Sequence, residues 1–106
     1  MIKAVFFTDK QSRLSGFRIS GHSMLAESGS DVLCAFVSSA AYMAANTITD
    51  VMDCDAEAEA SDGYMSLSVG EKDIDRCQDI LAGLKLHLCE TEKQYPKNLK
   101  ITTLEV

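Results

Sequence analysis

Tryptophan is absent from the 106 residues, proline occurs once and glycine six times. So little Pro and Gly excludes collagen-like and low-complexity classes, and 46% hydrophobic residues are too many for a disordered chain. Basic charge is also scarce: ten Lys and Arg stand against sixteen Asp and Glu, a net of −6. Phosphate backbones and anionic membranes are then approached against repulsion, which predicts no direct nucleic-acid contact and no membrane association. A basic protein or peptide is the partner such a charge favours. The opening MIKAVFFTDK lacks the charged, apolar and small-residue order of a secretory signal, so the expected location is cytoplasmic. Four cysteines at 34, 54, 77 and 89 form no C-x-x-C or zinc-ligand spacing, and His22 lies far from His87. With no G-x-G-x-x-G and no P-loop either, neither metal nor cofactor is expected, and the thiols are read as free.

What is present reads as one α+β domain over residues 1–106. Residues 1–9 are β-branched and aromatic, 13–20 follow after a polar turn, and the two predict a hairpin. Gly21 to Ser30 reads as a glycine-bounded loop, after which Ser30 or Asp31 caps a helix. The uncharged run Val32 to Thr49 approaches membrane-spanning length, but it holds several Ser, Thr and Asn residues and lacks flanking basic anchors. Its apolar residues cover nearly the whole helical circumference, which predicts a central helix buried on more than one side. DAEAEA at 55–60, the turn Ser61-Asp62-Gly63 and the alternation of Met65, Leu67 and Val69 predict a second hairpin. Asp73 is expected to cap a second, amphipathic helix that ends by Tyr95-Pro96, and Leu99 to Val106 forms a last strand. The order is ββαββαβ, a sheet packed with two helices.

Chemistry concentrates in residues 21–35. Cys34 is expected in the first turn of the buried helix, where unpaired amides and the dipole favour thiolate. His22, twelve residues earlier, can take the thiol proton if the strand-loop-helix path closes, and can later protonate a leaving amine. Asp31 caps the helix, orients His22, or does both; an ionised Asp31 aimed at the sulfur would oppose catalysis. Cys54, Cys77 and Cys89 read as structural thiols, His87 has no evident partner, and the acids of 53–62 read as the wet face of an edge strand.

Gly21-His22, eleven residues, then Cys34-Ala35, with Glu27, Gly29, Asp31 and Ser38 at their places, resemble the Prp family of ribosomal-processing cysteine proteases. The likeness extends along the whole chain to Tyr95 and Asn98-Leu99-Lys100-Ile101. It implies an endopeptidase that removes the N-terminal extension of a large-subunit ribosomal protein, the twenty-seventh, before ribosome assembly. Cys34 would be nucleophile and His22 base. The loop between them would be a gate that orders around the peptide, and the protein would be a homodimer. Gly21, Ser23, Met24, Leu25, Gly29 and Ser38 would meet the substrate. Ser23 stands where Ala is usual, and Met24-Leu25-Ala26-Ser28 stand in place of a more polar loop; these positions would line the peptide site, so the differences bear on substrate preference rather than on chemistry. Two other readings compete: a ribosome-associated module that binds the peptide without cutting it, and a thiol-dependent hydrolase or acyltransferase of small molecules.

Overall fold

The computed structural model describes residues 1–22 and 27–106, with 27–31 described by their backbone alone. Alternation drives the first hairpin. In β1 (Ile2–Thr8) the residues Ile2, Ala4 and Phe6 are buried, and in β2 (Leu14–Gly21) Phe17 and Ile19 join them. The strands pair antiparallel with Phe6 opposite Phe17, their ring centroids 6.0 Å apart. Arg13 closes the turn, its Nε donating to Asp9 at 2.8 Å while its other nitrogens reach Glu71 and Asp75.

The second hairpin joins β3 (Ala56–Ser61) to β4 (Tyr64–Val69), and β5 (Leu99–Glu105) runs parallel to β1. The sheet order is β3-β4-β2-β1-β5, so β3 and β5 are edges. Both sequence hairpins, the last strand and the ββαββαβ order hold.

The helices depart from expectation in three ways. Helix α1 spans Glu27–Asn46 and continues as a π-helical segment, Thr47–Val51. It therefore starts earlier than Ser30 or Asp31, and neither caps it. Gly29 costs helix stability but does not forbid helix. Second, α1 is not buried on all sides. Leu33, Val37, Ala41, Ala44 and Ala45 enter the core, joined by Ile48 of the π-helical segment, but Val32 is 68% exposed, Phe36 48% and Met43 54%. By length and composition Val32–Val51 could cross a membrane, yet its inward row is core packing of a folded domain. A helix without a second covering layer leaves its outer apolar residues in view.

Third, two 3₁₀ turns, Glu71–Asp73 and Asp75–Cys77, precede α2 (Gln78–Gln94), so Asp73 is no cap. Its carboxylate accepts the Asp55 N–H at 2.7 Å and Arg76 Nη1 at 3.2 Å. The Asp55 amide chiefly, and then Arg76, hold that carboxyl below its usual range. Leu81, Leu84 and Leu88 of α2 complete the core at helical spacing.

Candidate active site

β2 ends at Gly21 with φ +95°, a left-handed conformation that suits glycine. A Cβ there would also run into the Met1 carbonyl oxygen. The Gly21 N–H donates to Gly63 O at 3.0 Å, tying the end of β2 to the β3–β4 turn. His22 follows and is exposed. Gly63 itself has φ +71°, and a Cβ on it would lie 3.1 Å from His22 Nε2 and 3.3 Å from Cε1. The imidazole thus rests against the turn, and the turn is bare at that point.

Opposite, α1 presents Cys34, half-buried, and Ser38 one helical turn later. His22, Cys34 and Ser38 line one cleft of about 280 Å³ with Tyr42 and the turn residues Ser61, Asp62 and Gly63. Ile2, Ile19 and Met65, all in the core, also line it. The structure therefore brings the predicted histidine and cysteine to one site. Among the described residues no hydrogen bond joins them.

Cys34 is not in the first turn of its helix. It stands seven residues after Glu27, about two turns in. Unpaired amides belong only to the first turn of a helix, so the expected help from helix-start N–H groups does not reach this thiol. Cys34 and Ser38 share a face because they are four residues apart on a helix that must bury Leu33, Val37 and Ala41.

Gly21 and Ser38 line the cleft. Ser23, Met24 and Leu25 lie outside the described residues; of the loop expected as a gate between His22 and Cys34, residues 27–33 are helical and belong to α1. The backbone of Gly29 and Asp31 belongs to α1 rather than to a loop, which removes Asp31 from the cap position.

Sequence reasoning missed Tyr42 and the turn Ser61–Gly63. A tight turn was legible at 61–63, but its return onto His22 depends on β2 and β4 being neighbours in the sheet. His87, left without a partner, stacks on Phe36 with centroids 5.2 Å apart.

Away from the cleft, Cys77 donates to Cys54 at 3.7 Å, sulfur to sulfur. Burial first, and then that contact, push the Cys77 thiol up to about 12. Both thiols are buried, as expected of structural cysteines. Among the described residues no three His, Cys, Asp or Glu side chains converge to hold a metal.

The sequence profile of the cysteine protease Prp matches residues 1–100. A search of curated proteins found no match. Among solved structures, the chain is similar to the essential ribosomal processing protease Prp from S. aureus, in complex with a covalently linked product peptide. That match has a TM-score of 0.86 and 21% identity, covering 98% of this chain and 100% of the other. SMU.848 from Streptococcus mutans matches with a TM-score of 0.82 and 21% identity, covering 100% and 99%. At such identity these structures establish the shared fold, ββαββαβ around a five-stranded sheet.

Proposed function

The chain belongs to the cysteine protease Prp family, and from that premise we propose that it is the endopeptidase that trims the N-terminal extension from a large-subunit ribosomal protein, the twenty-seventh, in the cytoplasm before ribosome assembly. The observation that carries the reading is that His22 and Cys34, twelve residues apart in sequence, line one cleft open to a peptide. The similar S. aureus protease holding a covalently linked product peptide supports a thiol-bound intermediate here.

Cys34 acts as nucleophile and His22 as its base. His22 takes the thiol proton, and Sγ attacks the scissile carbonyl carbon. The tetrahedral adduct collapses as the C–N bond breaks, and the imidazolium passes its proton to the leaving amine. Water then adds to the thioester while His22 accepts its proton. The acyl C–S bond breaks, and the proton returns to sulfur. Peptide binding brings the imidazole and thiol into hydrogen-bond reach, since catalytic contacts commonly tighten only with substrate. The Ser38 hydroxyl offers the cleft a donor for a substrate carbonyl; the amides around Cys34, inside the helix, are committed to helical bonds. Asp31 remains a candidate orienter of His22 rather than a cap. A net charge of −6 supports a basic ribosomal protein as substrate, since opposite charge speeds encounter.

The outer face of α1 supports a homodimer. Val32, Phe36 and Met43, with Ile80 and Leu84 of α2, line an apolar groove of about 910 Å³.

Intact-mass analysis of the ribosomal protein precursor tests the reading. Wild-type protein should release one defined N-terminal peptide, and Cys34→Ala none. An unchanged precursor mass with folded, reduced wild type would overturn the substrate assignment. Retention of intact peptide by wild type and Cys34→Ala alike would favour a non-catalytic peptide-binding module.

A further inference from the structure

The free edge of β3 runs into the catalytic cleft, because Ser61 ends the strand and also lines the cleft. Among the described residues β3 pairs with β4 alone, and all its residues except Ala56 are exposed. The alternation of the ladder is fixed by one bond: Gly70 N–H donates to Asp55 O at 2.7 Å, in register with Ala56 opposite Val69. In an antiparallel pair every second residue exchanges bonds with its partner. Glu57, Glu59 and Ser61 therefore bond to β4, while Ala58 and Ala60 direct their N–H and C=O groups outward. No proline interrupts this edge, and its outward-bonding residues carry only methyl groups.

We infer that this edge is the docking track for an extended, basic stretch of the peptide substrate, which adds to the sheet as a sixth strand beside β3. The inference rests on the peptide-cleaving reading above and extends it from the scissile bond to the flanking residues. Continuity argues for the substrate as occupant: a chain paired with Ala58 and Ala60 arrives at Ser61 and Asp62, which already wall the cleft that holds Cys34. Charge argues for a basic one. Glu57 and Glu59 lie on one face of β3, opposite Ser68 and Ser66 of β4, and no basic residue of β4 neutralises them. A neighbouring strand places its own residues about 5 Å away on the same face, so Lys or Arg at alternate positions would pair with both acids. A second copy of β3 would instead set like charges beside each other and is disfavoured. Main-chain bonds then supply affinity, and the alternate side chains supply preference.

Direct binding tests this separately from catalysis. Cys34→Ala protein is titrated by fluorescence anisotropy with a labelled peptide that spans the processing site and carries Lys at every second residue of its flank. The matched peptide with Glu at those positions is titrated beside it. The Lys peptide should bind at least about tenfold tighter, and Glu57→Lys/Glu59→Lys should reverse the order. N-methylation of alternate peptide amides removes edge hydrogen bonds and should weaken binding about fivefold at each paired position, with little effect at the positions between. Wild-type binding order in the charge-reversed protein, together with a flat methylation scan, would overturn the edge assignment. The scan uses unaltered β3 and needs no variant strand to fold. If wild type fails to cleave but the binding pattern holds, the catalytic reading falls and the docking track stands.

Discussion

Replacing Gly63 by alanine adds one methyl group at the contact between the β3–β4 turn and His22. Two costs are legible. The left-handed backbone, φ +71°, costs an alanine about 1–2 kcal/mol. The new Cβ also lies 3.1 Å from His22 Nε2, closer than ordinary van der Waals contact, so the ring must move. For a domain near 100 residues, 1 kcal/mol lowers Tm by roughly 4–8 °C, so the expected fall is on the order of 4–16 °C. The ring must give by a few tenths of an ångström, where a full displacement of about 1 Å would cost up to about a hundredfold in rate. We therefore expect kcat for peptide cleavage to fall severalfold, about threefold to tenfold, at a temperature where the variant remains folded. Gly63→Asn separates the two costs. Asparagine tolerates the left-handed region, so it should recover part of the lost Tm. Its Cβ still meets the imidazole, so kcat should stay low. Calorimetry on the three proteins, with initial rates on a quenched fluorescent peptide, reads both quantities. Activity that follows Tm across the series, or a Gly63→Ala protein with wild-type kcat, would refute the contact as a determinant of His22 position.

Stability should decline on the alkaline side because of Cys77. Its thiol is pushed up to about 12 in the folded protein, while an unfolded cysteine ionises near 8.5. Below about pH 8.5 both states hold the proton. Above it the unfolded chain releases a proton that the folded one keeps, so unfolding free energy should fall by at most about 1.4 kcal/mol per pH unit toward pH 12. Urea titrations at pH 8 and 10 should show this slope, and Cys77→Ala should flatten it; identical slopes would contradict it. Asp73 acts on the acid side: its carboxyl is held low by the Asp55 amide and Arg76, so its contribution is present above the ordinary carboxylate range and lost as pH falls through its lowered value. Asp73→Asn should reduce the loss of Tm between pH 5 and pH 3 relative to wild type, and an unchanged acid slope would exclude this role. Phe36→Asp, on the apolar face of α1 proposed as the dimer interface, should give a monomer by sedimentation, and a persisting dimer would place the interface elsewhere.

The strands were legible because alternation is local. Ile2, Ala4 and Phe6, or Met65, Leu67 and Val69, declare a buried face without reference to anything distant. The helix ends were not. Gly29 and its serines resemble a loop, and only the fold shows them inside α1, which moves Cys34 two turns from the helix start. Apolar residues all around α1 predicted burial on every side, yet a two-helix layer covers one side and leaves Val32, Phe36 and Met43 facing outward. Within the site, His22 and Cys34 were named from spacing and resemblance. Gly63 and Asp62 could not be, because their place beside His22 follows from the β2–β4 pairing, a contact across more than forty residues of chain.

Site-resolved labelling addresses the Cys34–His22 pair most directly. Folded protein is treated with a substoichiometric peptidyl chloromethyl ketone, and the modified cysteine is located by peptide mapping in wild type and in His22→Ala. A single adduct on Cys34, formed much more slowly in His22→Ala, is the predicted result, with half-buried Cys89 labelled slowly and equally in both proteins. An adduct shared between Cys34 and Cys89, or a Cys34 rate indifferent to His22, would contradict the pair as the catalytic unit.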